Sequence, residues 1–209
     1  MTGKILVVAS TNEHKIKEIA AIAGSFGYEV ISRAEAGVPD FEIEETGATF
    51  EENAYLKAKT IYDYLKGEVS VVADDSGIEA DALGGAPGVY SARFAENTST
   101  YNRSRQDRAN NAKLLRLMAD VPIGERGGRF VSVIVCIIPG RDPIVCRGEV
   151  EGQIDFKETG TAGFGYDPLF IPEGYDHSFG LFSAEDKNAI SHRGRALARL
   201  AEKLAAEQV

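Results

Sequence analysis

Residues 4–24, KILVVASTNEHKIKEIAAIAG, contain the transition that decides the fold. The run Lys4–Ala9 is short, apolar and β-branched, which predicts a buried strand. Asn12 is a residue type that caps helices, and the apolar positions after it recur at intervals of three and four. These positions are Ile16, Ile19, Ala20 and Ala23. The stretch therefore predicts a strand that leads directly into an amphipathic helix ending near Gly24, which is the first step of an α/β fold.

Strands and helices continue to alternate after this first pair. A capping-box pattern at Thr49 and Glu52 begins a second helix, which Gly67 ends. Further predicted strands are Tyr28–Ser32, Val69–Ala73, Arg129–Ile138 and Ile144–Val150, and further predicted helices carry Leu114–Met118 and Gly194–Ala206. Because the last two strands pair as a hairpin, we expect an α/β fold with a mixed β-sheet flanked by helices. We expect residues 1–209 to form a single domain with two lobes and a central substrate cleft.

The charge balance excludes one class of function. The chain has 209 residues, with 23 Lys and Arg against 32 Asp and Glu, which gives a formal net charge of −9. A sequence-independent nucleic-acid binder needs a basic face, so we expect no nucleic-acid partner. A polyanionic ligand must therefore be met by a local cluster of cations together with a metal ion.

No segment predicts a membrane or secreted protein. The longest strongly apolar run, Val131–Ile138, is too short to span a bilayer, and Ile5–Ala9 is too short for the core of a signal peptide. We therefore expect no membrane partner and a cytoplasmic location. In that compartment Cys136 and Cys146 are expected to be reduced, buried thiols rather than a disulfide or a zinc site.

A candidate phosphate site lies where the first strand gives way to the first helix. Ligands collect at this edge of open α/β sheets, and the free N–H groups at a helix start suit a phosphate. The segment consists of Ser10, Thr11, Asn12, Glu13, His14 and Lys15. Lys15 lies about one turn into the helix, where its charge can reach back to a phosphate. The alternative is an ordinary helix cap with a solvated lysine.

Two acidic groups are candidates for a metal site. Asp74 and Asp75 follow the predicted strand Val69–Ala73 directly. Side chains alternate between the faces of a strand, so one carboxylate is expected to face a ligand and the other to hold a turn or cap a loop. The second group precedes the second helix and consists of Asp40, Glu42, Glu44 and Glu45. Two carboxylates from separate segments, with phosphate oxygens and water, suit Mg²⁺. The alternative for both groups is a solvated acidic loop.

Two later segments combine features of base recognition. Residues 159–168, TGTAGFGYDP, place Phe164 and Tyr166 in a glycine-rich loop, where an exposed ring is a stacking platform for a nucleobase. The alternative is a turn whose two rings fold back onto the core. Residues 183–195, SAEDKNAISHRGR, contain the densest cationic cluster of the chain. Its members are Lys187, His192, Arg193 and Arg195, and their clustering favours recognition of an anion or a base.

Together and in this order, the four segments resemble the inosine triphosphate pyrophosphatase family. The resemblance runs from Ser10 to Arg195. Its most specific motifs are ADDSG at residues 73–77, LGGAPGVYSAR at residues 83–93, GFGYDP at residues 163–168 and SHR at residues 191–193. One departure is Leu181, which follows Ser178-Phe179-Gly180 where many relatives have a glutamate.

The resemblance implies a Mg²⁺-dependent homodimer with a two-lobed α/β fold, acting on non-standard purine nucleoside triphosphates (ITP, dITP and XTP). Such enzymes cut between the α and β phosphates to give a nucleoside monophosphate and pyrophosphate, and so cleanse the nucleotide pool. Carried over by motif, Asp75 is the catalytic carboxylate and a metal ligand, and Glu44 is the other metal-linked acid. Ser76 is a substrate contact.

The resemblance also implies which segments bind the substrate. Residues 10–15 are similar to the triphosphate loop, and Phe164, Gly165, Tyr166 and Asp167 are similar to the segment for base and sugar. Lys187, His192 and Arg193 resemble the base-reading set. Two alternatives are a pyrophosphatase for ordinary or modified pyrimidine triphosphates and a non-catalytic sensor of purine nucleotides. The presence of both Asp75 and Glu44 disfavours the sensor, because binding alone needs no activated water.

Overall fold

The computed structural model describes residues 4–95 and 102–206. The strands are Lys4–Val8 (β1), Tyr28–Ser32 (β2), Ser70–Ala80 (β3), Gly127–Ile137 (β4), Ile144–Ile154 (β5) and Phe170–Pro172 (β6). The helices are Glu13–Gly24 (α1), Phe50–Tyr64 (α2), Arg103–Leu117 (α3), Ala184–Ile190 (α4) and His192–Ala206 (α5). Every strand and helix predicted above is present, and the two short elements α4 and β6 are additional.

Within the described residues, the strands form one six-stranded sheet in the order β2-β1-β3-β4-β5-β6. β1 is parallel to β2 and to β3, whereas β5 and β6 are antiparallel. The connection between β4 and β5, residues 138–143, is too short for the crossover that parallel strands need, so these neighbours form the predicted hairpin. The mixed sheet with its flanking helices confirms the predicted α/β class.

The chain divides into two compact units. Unit 1 comprises residues 1–75, 132–148 and 192–209, and unit 2 comprises residues 76–131 and 149–191. The core of unit 1 is mainly aliphatic and includes Leu6, Ile134 and Leu197. The core of unit 2 contains aromatic rings, with the ring centroids of Phe130 and Phe170 at 4.7 Å. The single domain of residues 1–209 with a central substrate cleft stays a prediction.

Side-chain caps fix where α1 and α2 begin, as the sequence predicts. The Asn12 side chain accepts a hydrogen bond from the N–H of His14 at 3.1 Å. At the start of α2, the Thr49 hydroxyl accepts from the N–H of Glu52, and the Glu52 carboxylate accepts from the N–H of Thr49, both at 3.2 Å. These bonds satisfy amide groups that have no partner inside the helix.

β3 is longer than predicted, because it continues through Asp74 and Asp75 to Ala80 instead of ending at Ala73. Two carboxylates in a buried strand are costly unless they are paired. Both are paired here, Asp74 with Lys15 at 2.7 Å and Asp75 with Lys57 at 2.6 Å. The strand therefore passes through the acidic pair without interruption.

The structure bears on two further predictions, that of reduced, buried cysteines and that of a chain without a membrane-spanning segment. Cys136 and Cys146 are thiols buried in the core of unit 1 and form no disulfide, as predicted. Among residues 4–95 and 102–206, no helix is long and apolar enough to cross a membrane.

Candidate active site

The predicted phosphate segment forms the turn between β1 and α1. The N–H of Ala9 donates to the carbonyl of Val72, which ties the end of β1 to β3, and the N–H of Asn12 donates to the Ser10 hydroxyl at 3.1 Å. Thr11, Glu13 and His14 are exposed, whereas Ser10, Asn12 and Lys15 are half-buried. The side chains of Ser10 and Asn12 accept from the N–H groups of Asn12 and His14, so they order the turn that leads into α1, and the binding of an anion at this helix start stays a prediction.

Lys15 makes an ion pair that the sequence does not predict. Its Nζ lies 2.7 Å from Asp74 Oδ2, and the same oxygen accepts from Arg193 Nη2 at 3.0 Å. The other oxygen, Asp74 Oδ1, accepts from the Ser132 hydroxyl at 2.5 Å. Burial opposes the charged form of Asp74, but the charges of Arg193 and Lys15 outweigh it and hold its pKa well below the ordinary value. Asp74 is therefore the centre of a buried ionic network, not the residue that holds a turn or caps a loop.

Asp75 points to a different set of partners, as alternation along the strand predicts. Lys57 on α2 donates to Asp75 Oδ1 at 2.6 Å and to Glu45 Oε1 at 3.1 Å. The Asp75 side chain is 8% exposed, and its Oδ2 accepts no hydrogen bond from the described residues. Burial raises the pKa of Asp75, against the attraction of Lys57. Lys57 thus holds Oδ1 in place, whereas Oδ2 can still accept a hydrogen bond from a ligand or bind a cation.

The acidic segment before α2 contributes Glu45 to this cluster. Glu45 shares Lys57 with Asp75, whereas the side chain of Glu44, the metal-linked acid of the sequence prediction, is exposed. A ligand role for Glu44 stays a prediction. Among the described residues, no group of three or more His, Cys, Asp or Glu side chains could hold a metal ion. The carboxylates that the structure brings together are Asp75 and Glu45.

Lys57 is a functional candidate that sequence reasoning missed, whereas Glu45 belongs to the acidic group that the sequence predicted as part of a metal site. Phe50, Ala54, Ala58 and Ile61 form the apolar stripe of α2, and Lys57 falls on that stripe at the position seven residues after Phe50. A charged residue on the buried face of a helix needs a partner. This break in the stripe is the signal that could have identified Lys57.

In unit 2, Asp167 and Lys187 form a buried ion pair. Lys187 Nζ lies 2.7 Å from Asp167 Oδ2, and the same carboxylate oxygen accepts from the N–H of Phe164 at 2.7 Å. The ammonium of Lys187 also lies 4.8 Å from the centroid of the Phe164 ring. A Cβ at Gly163 would lie 2.0 Å from Asp167 Oδ2, so only glycine permits this close approach of the loop. The glycine-rich segment and α4 therefore present a charged pair next to an aromatic ring.

The ring of Tyr166 is not exposed in the glycine-rich loop. It is buried in the core of unit 2, and its hydroxyl donates to the carbonyl of Ser91 at 2.8 Å. Burial raises the pKa of this phenol. Of the two alternatives for this loop, the Tyr166 ring takes the one in which it folds back onto the core, while Phe164 is half-buried, and a substrate contact at Tyr166 stays a prediction.

The cationic cluster of residues 183–195 has several acidic partners. Lys187 pairs with Asp167 in unit 2, while Arg193 in unit 1 pairs with Asp74 and Glu18. His192 is the first residue of α5 and is buried, and Arg195 is exposed. Lys187 and Arg193 each have a buried acidic partner in their own unit, and the base-reading role of Lys187, His192 and Arg193 stays a prediction.

Comparison with known proteins connects these features to one family. A sequence model of the Ham1 family matches residues 6–203. A protein from Clostridium perfringens named dITP/XTP pyrophosphatase is 45% identical, and the match covers 96% of this chain and 97% of that protein. A protein from Pseudomonas aeruginosa with the same name is 47% identical, over 95% of this chain and 96% of the relative.

A solved structure agrees with the sequence comparisons. The Ham1 protein of Staphylococcus aureus has a TM-score of 0.83 and 40% identity, and the match covers 98% of this chain and 100% of that chain. The similarity therefore includes the fold as well as the motifs.

Proposed function

This chain belongs to the Ham1 family, and from that premise we propose that it hydrolyses the non-standard purine nucleoside triphosphates dITP, XTP and ITP to a nucleoside monophosphate and pyrophosphate. The resemblance predicted from the motifs is confirmed, and the shared name of the relatives supports a nucleoside triphosphate pyrophosphatase. The observation that carries the proposal is the burial and the hydrogen bonding of the Asp75 carboxylate. Its carboxylate is buried, fixed through Oδ1 by Lys57, and without a hydrogen-bond partner at Oδ2 among the described residues.

Asp75 acts as the general base in this proposal. Its Oδ2 takes a proton from a water molecule as the water oxygen bonds to the α phosphorus. The bond between that phosphorus and the bridging oxygen breaks, and pyrophosphate leaves with the electron pair. The proton acceptor in the transition state must be a carboxylate held within reach of the water, and the buried Asp75 side chain is held in this way. Lys57 keeps the carboxylate in one orientation during the transfer.

The residues around Asp75 fit a magnesium ion. Mg²⁺ is bound in proteins through one or two carboxylates, with substrate phosphates and water completing six oxygen ligands. The carboxylates of Asp75 and the neighbouring Glu45 would supply two such ligands, and because an ionised carboxylate has about four lone-pair sites, Asp75 could also accept the proton of the water. When bound, Mg²⁺ would neutralise phosphate charge that a protein of net charge −9 otherwise repels.

Pyrophosphate release from dITP, measured with Mg²⁺ and with excess EDTA, tests the proposed function. Release that requires Mg²⁺ is the expected result. Binding of dITP without release would instead identify a sensor, and faster turnover of pyrimidine triphosphates would identify the other alternative. The homodimer and the cytoplasmic location are parts of the same proposal, and so are the expected absences of nucleic-acid and membrane partners.

Lys187→Ala is expected to reduce the preference for ITP over ATP by about tenfold or more. ITP has a carbonyl at purine position 6, where ATP has an amino group, and an ammonium can donate to a carbonyl but cannot accept from an amine. A lost charged hydrogen bond costs about 1.5–3 kcal/mol, which gives this factor. The measurement is kcat/KM for both substrates in wild type and variant. An unchanged ratio would show that Lys187 does not read position 6.

Lys15→Ala is expected to raise the KM of every nucleoside triphosphate by a similar factor of about 10–100, the value of one charge-assisted hydrogen bond. The reason is that a lysine at the start of α1 attracts phosphate oxygens whatever base they carry. Steady-state kinetics with dITP, XTP and ATP give the comparison. A loss that differs strongly between bases would contradict the phosphate role of residues 10–15.

A further inference from the structure

The segment that carries Glu45 has few means of holding its position. Residues 38–47, here called the acidic loop, contain no helix or strand. Near its start, Arg33 Nη2 donates to Asp40 Oδ1 at 2.6 Å and to the carbonyl of Phe41 at 3.0 Å. At its end, the N–H of Gly47 donates to Asn53 Oδ1 at 2.8 Å. Gly47 is two residues after Glu45, so this bond ties the backbone next to the acid to α2, and the N–H of Ala48 adds a bond to Glu52 Oε2 at 2.6 Å.

Asn53 is well placed to control that end of the loop. It is fully buried on α2, one turn before Lys57, and residues four apart lie on the same face of a helix. Lys57 contacts Glu45 and Asp75 from this face. Two successive turns of α2 therefore hold this part of the loop. Asn53 holds the backbone at Gly47, and Lys57 holds the side chain of Glu45.

A buried amide at this position has a cost in stability. Asn53 occupies a place on the buried face of α2, and its Nδ2 has no hydrogen-bond partner among the described residues. An unsatisfied buried donor calls for an explanation, because an apolar side chain avoids that cost. The bond to Gly47 is the one hydrogen bond described for this side chain.

On the loop, the lack of a side chain at Gly47 is what allows its contact with Asn53. A Cβ at this residue would lie 2.7 Å from Asn53 Oδ1 and 2.6 Å from the Cβ of Glu52. The acidic loop thus approaches the start of α2 so closely that a side chain has no room. The close contact between the loop and α2 therefore requires both Asn53 on the helix and Gly47 on the loop.

We propose that Asn53 is a positioning residue of the active site, which fixes the acidic loop through Gly47 so that Glu45 lies beside Asp75 and can help to hold a divalent cation. This inference rests on the proposed function for the role of Glu45. Residues that orient metal-binding carboxylates without touching the metal typically contribute 10–100-fold to metal affinity. Asn53 therefore acts on cation binding and through it on turnover.

The test compares Asn53→Ala and Gly47→Ala with wild type. In both variants we expect the Mg²⁺ concentration for half-maximal pyrophosphate release from dITP to rise by about 10–100-fold. We expect Mn²⁺ binding without substrate, followed by electron paramagnetic resonance, to weaken by a similar factor. Asn53→Asp keeps an oxygen that can accept from Gly47, so its Mn²⁺ binding should be at least as tight as that of wild type.

Thr49→Ala is the matched control, since it removes the cap at the start of α2 without removing the bond between Asn53 and Gly47. It should lower stability and leave the Mn²⁺ affinity unchanged. Equal weakening in Thr49→Ala, or unchanged Mn²⁺ binding in Gly47→Ala, would overturn the proposal even if Asn53→Ala did not fold. A wild-type protein that binds Mn²⁺ but releases no pyrophosphate would contradict the proposed function alone.

Discussion

Asp75→Asn is expected to lower the kcat of pyrophosphate release by about 10²–10⁴-fold, the usual contribution of a general base. The amide that replaces the carboxylate cannot accept the proton of the attacking water. The fold should persist, because Lys57 keeps its contact with Glu45 and burial disfavours a charge at residue 75. Single-turnover kinetics at saturating dITP and Mg²⁺ measure the chemical step, and circular dichroism checks the fold.

Asp63→Asn provides a matched control for that result. Asp63 is an exposed carboxylate on α2 that pairs with Lys59, and its loss should leave kcat unchanged. If Asp75→Asn turned over dITP at nearly the wild-type rate with saturating Mg²⁺, Asp75 could not be the base.

Asp74→Asn is expected to destabilise the protein by about 3–5 kcal/mol, the cost of removing one partner from a buried ionic cluster. The substitution leaves Arg193 and Lys15 without the carboxylate that both contact. Their side chains are 1% and 13% exposed, so water cannot easily take its place. Urea denaturation gives the free energy of unfolding of wild type and variant.

The same ion pairs give wild-type stability a defined dependence on pH. The pKa of Asp74 is depressed in the folded state, so its contribution is complete above the unfolded value of 3.8 and is lost as the pH falls below that value toward the folded pKa. Asp74→Asn should lack this part of the acid unfolding. Asp63→Asn again serves as control, with a change within about 0.5 kcal/mol. A loss for Asp74→Asn no larger than that would show that the buried network contributes little.

Much of the fold could be predicted because its signals are local. The step from β1 to α1 depends on a β-branched run next to the cap residue Asn12, and α2 begins at a capping box within four residues. These patterns report interactions between neighbours in the chain, so the sequence reveals them directly. The four motifs identified the family for a related reason, since the residues of each motif are contiguous and the motifs follow one another in a fixed order.

The partners of the charged side chains could not be predicted in the same way. Arg193 reaches Asp74 across 119 positions of sequence, and Lys57 reaches Asp75 across 18. Which cation meets which carboxylate depends on how β3 lies against α1, α2 and α5, and hydrophobic periodicity does not encode this packing. The sequence therefore predicted that β3 ends at Ala73, because unpaired carboxylates would be costly inside a buried strand. Their partners, which only the packing reveals, allow β3 to continue to Ala80.

By itself, the sequence determined the α/β class and the family, because the first rests on local patterns and the second on contiguous motifs, while the catalytic role of Asp75 stays a prediction from the same motifs. Only the tertiary structure decided the roles of the residues around it. It separated Asp74, buried between Lys15 and Arg193, from Asp75, whose Oδ2 is left without a described partner. It also brought Glu45 rather than Glu44 to Lys57, because adjacent residues of an irregular loop can point in different directions and only the packing of the loop against α2 fixes which one meets the lysine.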